Sequence, residues 1–430
     1  MVKHYDLEAI RSQFPSLSIT DNGTPRIYFD NPAGTQVPGI VVDRMSRCLL
    51  EANANLGGFF ATSRRADAIA HDAHAAMADF LNASSPDEII FGQNMTTLTL
   101  HVSRSIGRQF RAGDEIILSR MDHDANVTPW VLLAHDLGLK IRWLTFDLES
   151  FEFDLSALDD LLNDRTRLVC VGGASNMTGT IHDIKAICGR AREAGAWTYI
   201  DAVQSVPHVP TDVQDIGCDF LASSAYKFFG PHQGILWGRR EVLERLTPYK
   251  VRPAPDSIPG AFETGTQSHE GMAGTAAAVD YFAWIGETMG KACIKNNERY
   301  EAGRRRYVHA AMDCLFAYET TLARHLVDGL RQLPGVRVHG ITAADAMKRR
   351  VPTVSFTAAR VSSAKIAEAL AKRNIFVWSG HNYAVEAARA LGIYDSGGGV
   401  RVGPVHYNSI EELDRLLIAL EEILPRANVA

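Results

Sequence analysis

The sequence predicts an α/β protein, with a large domain built on a mainly parallel sheet between helices and a small C-terminal α+β domain. Three observations predict it. From Ile89 to Trp237 short β-type runs alternate with helical stretches, the pattern of a parallel sheet covered by helices on both faces. Several of these runs are apolar throughout, as strands buried on two faces must be. The chain has 430 residues, 46% of them hydrophobic and 22% charged, and because single cores stop growing at roughly 250 to 300 residues it is expected to divide into a larger and a smaller unit.

In chain order, residues 1–25 carry Lys3, Asp6, Glu8 and Arg11 with no apolar run of signal-peptide length, and are expected to pack on the small domain. The large domain is placed at 26–290. Its strand candidates are Glu115 to Ser119, Ile141 to Phe146, Leu168 to Gly172, Thr198 to Asp201, Phe220 to Ser223 and Gly234 to Trp237. Helices fit the gaps: Leu98 to Phe110, Asp124 to Asp136 ahead of Gly138, and Asp183 to Ala194, which starts on an acid and stops at Gly195. A proline-, glycine- and threonine-rich loop (253–274) leads into a helical region, Ala276 to Gln332, that links the domains. The linking helix and small domain occupy 291–430. There Val338, Thr353 to Phe356 and Phe376 to Trp378 read as strands, and Ser363 to Lys372 and Ile410 to Leu424 as helices.

Composition removes several function classes. With 44 Lys and Arg against 50 Asp and Glu, the formal charge of -6 gives no basic field for a phosphate backbone, so nucleic acid is not an expected partner. No stretch approaches the roughly 20 apolar residues of a membrane span, and a cytoplasmic protein is expected. The six cysteines show no C-x-x-C pairing, so neither a disulfide framework nor a metal site is expected.

Ligands of open α/β sheets bind beyond the carboxyl ends of the strands, so the polar residues that follow them carry the chemistry. Asp201 ends one strand and Gln204 follows it; 26 residues after Asp201, beyond the next strand and Ser224, comes Lys227. A carboxylate that keeps a pyridine nitrogen protonated and a lysine that holds an aldehyde as a Schiff base are what a pyridoxal 5'-phosphate site needs. Gln204 is placed to donate to the ring's phenolate oxygen. Alone, a carboxylate after a strand is often a helix cap and a lysine before glycine and proline a solvated loop residue; the pair is what points to the cofactor. His123 follows the strand ending at Ser119 and is placed to lie on the ring face and share in proton transfer. Met95 and Thr96 precede a helix whose N-terminal amides and Thr96 hydroxyl suit a phosphate.

The order and spacing of these motifs resemble the pyridoxal phosphate enzymes of fold type I, in the aminotransferase class V group that contains cysteine desulfurases and selenocysteine lyases. The resemblance runs from about Ile27 to Leu424, through Tyr28-Phe29-Asp30-Asn31-Pro32-Ala33-Gly34, Asn53-Ala54-Asn55, the His123 segment, Ser175-Asn176-Met177-Thr178-Gly179-Thr180-Ile181, Val206-Pro207-His208-Val209-Pro210, Phe262-Glu263-Thr264-Gly265-Thr266 and Arg401. It implies that Lys227 carries the cofactor, that Asp201 meets the ring nitrogen, Gln204 the phenolate and His123 the ring face, and that Thr96 and Ser224 hold the phosphate. It implies a homodimer, with Thr266 reaching the phosphate from the second subunit. Asn176 and Arg401 match residues that orient the substrate's amino acid portion, Arg401 by gripping its carboxylate, with Ala33 and His381 beside it.

The chain departs from that family at the substrate. The loop that carries a sulfur-accepting cysteine in desulfurases reads Ser379-Gly380-His381-Asn382-Tyr383-Ala384, with Tyr383 at the cysteine position. A phenol cannot accept sulfur as a persulfide. Trp378 stands where the family usually has arginine, Gly57-Gly58-Phe59-Phe60 replaces a histidine and arginine, and Tyr226 stands where desulfurases have a histidine before the lysine. The expected substrate is an amino acid whose side chain is larger or less polar than that of cysteine. The expected reaction is carbon-sulfur β-elimination from an S-substituted cysteine, with Lys227, His123 and Tyr383 as catalytic groups. Transamination, epimerisation and desulfuration with a cysteine from elsewhere are the alternatives; a non-catalytic pyridoxal phosphate-binding protein is the alternative of a different class, and would have no need of both Asp201 and Arg401.

Overall fold

The computed structural model describes residues 5–425. Seven strands form the main sheet: β1 (Ile89–Gly92), β2 (Glu115–Ser119), β3 (Lys140–Leu144), β4 (Thr166–Gly172), β5 (Trp197–Asp201), β6 (Phe220–Ser224) and β7 (Gly234–Gly238). Their spatial order is β1-β7-β6-β5-β4-β2-β3. Only β7 runs against its neighbours β1 and β6; the remaining pairs are parallel. Successive side chains of a strand face opposite sides. Ile117, Val169, Val171, Ile200 and Leu221 accordingly enter one core, and Ile116, Leu118, Leu168, Tyr199 and Phe220 the other.

A second, antiparallel sheet comprises β8 (Val336–His339), β9 (Val354–Ala358), β10 (Trp378–Gly380) and β11 (Gly399–Val402), in the order β8-β9-β11-β10. Its core includes Val354, Phe356, Val400 and Val402. Parallel pairing of Ile27–Tyr28 with Ile375–Phe376 joins the start of the chain to this unit. The N-terminal segment reaches both units, since Arg11 pairs with Glu412 while Phe14 packs on Phe229 and Tyr281; residues 1–4 of the segment lie outside those described.

Among the helices are α1 (Gly39–Glu51), α2 (Ala61–Leu81), α3 (Met95–Gly107), α4 (Thr128–Leu137), α5 (Ile184–Glu193), α6 (His269–Thr288), α7 (Arg304–Gln332), α8 (Ser363–Ala371) and α9 (Ile410–Ile423). Their starts follow local chemistry. Asn94 caps α3 by accepting from Thr97 N, Asp183 caps α5, and Ser409 with Glu412 forms a capping box on α9. No helix of the described residues is long and apolar enough to cross a membrane.

Three expectations are corrected and two strands are added. The helical region expected over Ala276 to Gln332 is two long helices with a short helix, Lys291–Ile294, and a 3-10 turn, Lys295–Asn297, between them, and α6 begins at His269, inside the expected loop, where Ser268 caps it. The connection between the two long helices spans residues 289–303 and ends on Gly303, whose φ of 105° suits only glycine. A Cβ on Gly286 would collide with the Tyr307 carbonyl oxygen, so the two helices fold back on each other at that glycine. The expected Asp124 to Asp136 helix is a 3-10 turn, Asp124–Asn126, followed by α4. The expected strand Phe376 to Trp378 divides at Val377 between the N-terminal pairing and β10. Finally, β1 and β11, four residues each, were not among the sequence candidates.

Candidate active site

The carboxyl ends of β2, β4, β5 and β6 open into one cavity of about 710 Å³. It is lined by Met95, Thr96, Asp122, His123, Asn176, Asp201, Gln204, Ser224, Tyr226, Lys227, Arg401, Pro32 and Ala33, with Trp378, His381, Asn382 and Tyr383 closing it from the small sheet. Every candidate site residue except Thr266 therefore meets in one place. Thr266 is exposed and lines a separate cavity of about 320 Å³ with Asn53, Asn55 and His269.

Lys227 follows β6 on a single 3-10 turn, Ala225–Lys227. Its Nζ donates to the Pro32 carbonyl at 2.6 Å and lies 4.7 Å from the centroid of the Tyr226 ring. Burial, and then repulsion from Arg401, bring its pKa down from 10.5 to about 7, partly offset by Asp201. At neutral pH a large share of this amine is a free base.

Asp201 ends β5 and accepts from Val203 N at 2.9 Å. Burial raises its pKa to about 6. Asp122, also buried, is raised to about 7 by burial even though it accepts from Gly172 N, Ser119 Oγ and Asn126 Nδ2. Those three bonds pin the turn that presents His123. The imidazole Nδ1 accepts from Ala125 N at 3.0 Å, and burial with the Lys227 and Arg401 charges lowers its pKa to about 3. His123 is thus neutral, with its proton on Nε2, and its ring stacks on Tyr383 at 5.4 Å and 17°.

At the start of α3, Met95 N donates to Ser224 Oγ at 2.9 Å, and Thr97 N to Asn94. Gln204 donates its amide to Thr353 Oγ1 at 2.9 Å and stands 3.5 Å from His208 Nε2. His208 Nδ1 in turn meets Glu319 of α7 at 2.8 Å, and Glu319 also accepts from His406 N.

Arg401, on β11, is 5% exposed and donates to the Asn176 carbonyl at 3.0 Å, while its Nε is buried without a partner. Burial lowers its pKa to about 10, so at neutral pH it stays a cation. Asn176 Nδ2 donates to the Asn382 carbonyl at 2.7 Å and leaves its own Oδ1 buried and unpaired. The loop is held from a second side by Asp124 N, which donates to the Tyr383 carbonyl. Asn382 and Tyr383 both have positive φ, 51° and 59°. An aromatic residue there is strained, and strain of this kind gathers at functional sites.

Sequence reasoning missed the Pro32 carbonyl, His232, which also lines the cavity, Thr353 and Glu319. A main-chain oxygen carries no side-chain signal, His232 is one of fifteen histidines, and Thr353 and Glu319 reach the site from more than a hundred residues away. Only His208, inside a quoted motif, offered a thread to them.

The aminotransferase class-V family model matches residues 27–303 and 305–416. The chain belongs to the aminotransferase class V family. It is 34% identical to the "Aminotransferase-like protein FGM3" of Gibberella zeae, over 98% of this chain and 99% of that one. It is 30% identical to a cysteine desulfurase of Pectobacterium atrosepticum, over 97% and 98% of the two chains. Its fold overlays the apo cysteine desulfurase of Thermococcus onnurineus with a TM-score of 0.85 at 28% identity, covering 99% of each. It is a pyridoxal 5'-phosphate-dependent, cysteine desulfurase-like enzyme of fold type I. The cavity fits that cofactor and its amino acid partners: a carboxylate at a strand end faces a lysine of lowered pKa, a helix N-terminus lies beside Ser224, and the buried, unpaired Arg401 Nε and Asn176 Oδ1 suit a carboxylate and an amine.

Proposed function

We propose that this class V enzyme is a carbon-sulfur β-lyase acting on an S-substituted cysteine. One observation carries the reading: none of the six cysteines lines the cavity that holds Lys227, and an aromatic loop closes it instead. Sulfur leaves such a site as a thiol, because no protein thiol is there to take it.

Met95, Thr96 and Ser224 would hold the cofactor phosphate, Asp201 would meet the ring nitrogen, Gln204 the phenolate oxygen and His123 the ring face. Bound there, pyridoxal phosphate supplies the electron sink for negative charge at the substrate α-carbon. Arg401 grips the substrate carboxylate and Asn176 orients its amino end, with Ala33 and His381 as walls. Lys227, whose pKa of about 7 matches a general base, takes the α-proton. The β-carbon–sulfur bond then breaks with its electron pair on sulfur. Tyr383 or His381 protonates that sulfur, the histidine only as its imidazolium, in which Nδ1 no longer accepts from Tyr383 N. The remaining three-carbon enamine hydrolyses to pyruvate and ammonia.

The partner we propose is a second copy of the chain. Thr266 lies outside the Lys227 cavity, and beside it the stretch 49–60 exposes Leu50 at 84% and Phe59 at 95%, an apolar face suited to a homodimer that delivers Thr266 to the neighbouring phosphate.

Transamination is the second reading, favoured by the name of the Gibberella zeae relative, an aminotransferase-like protein. Incubation with S-alkyl cysteines, with and without keto acid, separates the two: pyruvate and thiol without keto acid support the lyase, whereas product only with keto acid supports the aminotransferase.

A further inference from the structure

We propose that Tyr226 is a positioning residue for Lys227, its ring face cradling the lysine amine beside the Pro32 carbonyl whenever that amine is free. The geometry is direct. Nζ sits 4.7 Å from the ring centroid and 2.6 Å from Pro32 O. The hydroxyl of Tyr226 makes no hydrogen bond among the described residues, so Lys227 meets the ring face and not the phenol oxygen.

The ring is held in place from several directions. His232 stacks on it at 4.8 Å and 16°. The backbone of Gly34 packs so closely that a Cβ there would fall 3.2 Å from Tyr226 Cδ2. Thr35 donates to the Tyr226 carbonyl through both its N and its Oγ1. A side chain clamped in this way presents a fixed quadrupole, and the negative face of an aromatic ring attracts a cation.

The charges around Lys227 make that attraction consequential. Arg401 on β11 repels the ammonium and Asp201 on β5 attracts it, while His123 after β2 is neutral. Burial works against the charged form too. With a repelling arginine and a desolvated site, the ring face and one carbonyl are the neutral groups that favour the ammonium. They keep the amine near the pH at which it can both accept a proton and return it.

The inference depends on Lys227 being the reactive amine and not on which bond is broken. Loss of the lyase reading leaves it standing, and its own failure leaves the lyase reading standing. The test is the pH dependence of acetic anhydride labelling at Lys227 in the full-length cofactor-free protein, read by mass spectrometry. Removing a group that favours the charged form lowers the midpoint, so Tyr226→Leu should bring it down by about one unit. Tyr226→Phe, which keeps the face and loses the hydroxyl, should retain the native midpoint near 7. Tyr226→Trp, with a stronger face, should raise it, which keeps the proposal testable should the leucine variant fail to fold. An unchanged midpoint in the leucine variant, a phenylalanine variant that moves as far as the leucine one, or a tryptophan variant that does not rise would each overturn the proposal.

Discussion

Arg401 is a buried cation that donates to a carbonyl and makes no ion pair among the described residues, although the Asp30 carboxylate favours its charge from nearby. Leaving such a charge unpaired is costly, and a substrate carboxylate relieves the cost. Arg401→Lys keeps the charge and loses the planar fork, so KM for the amino acid should rise about 10-fold to 100-fold with a smaller change in kcat, measured by steady-state kinetics. Lys227 gives a pH prediction. Its pKa lies near 7, below the ordinary 10.5, so the amine is a base above about pH 7 and is protonated below it. Turnover should therefore fall as pH drops through about 7, and a limb near 10 in the pH profile would contradict the assignment. At the loop, Tyr383→Phe should slow thiol release by about tenfold or more if the phenol protonates the departing sulfur; unchanged release leaves Tyr383 as a wall. Lys227 was legible because it follows a strand in a motif; Tyr383 and Arg401 were legible through the family resemblance, Arg401 lying inside a strand that the sequence did not reveal. What they touch was not, since Pro32 acts through its backbone.

Helix α7 is tied to the cofactor-facing turn by the buried Glu319, which bonds His208 and the His406 backbone. Burial alone would raise the Glu319 pKa; His208 and then His406 outweigh it and the carboxyl sits below its ordinary 4.5. Its contribution is thus present at pH 7 and is lost as pH falls through that lower value. Glu319→Ala should cost about 3–5 kcal/mol of unfolding free energy at pH 7 by denaturant titration, because it strands a buried polar partner. A loss within 0.5 kcal/mol, as at exposed sites, would remove this tie from the account. The legibility of elements follows their length and patterning. The apolar runs of β2, β4, β5 and β6 announced themselves. The missed β11 reads Gly399-Val400-Arg401-Val402, a short run broken by a glycine and a charged residue, and the missed β1 ends on Gly92 after three apolar residues. The continuous helical composition of 276–332 concealed a break, because the reversal depends on Gly303 and on the packing of Gly286 against Tyr307, a tertiary contact.

For the whole molecule, the fold brings all candidate residues but one into a single cavity, and the second copy proposed above accounts for that exception. Phe59→Asp combined with Phe60→Asp should yield a monomer in sedimentation velocity with weaker cofactor binding; an unaltered dimer would place the interface elsewhere. The central claim is that sulfur departs as a thiol without any protein cysteine taking it. The most direct test is mass spectrometry of the products formed by the cofactor-loaded enzyme from an S-alkyl cysteine in the absence of keto acid. Stoichiometric pyruvate, ammonia and free thiol are the predicted result. Product that forms only when a keto acid is added would contradict the claim and make the enzyme an aminotransferase.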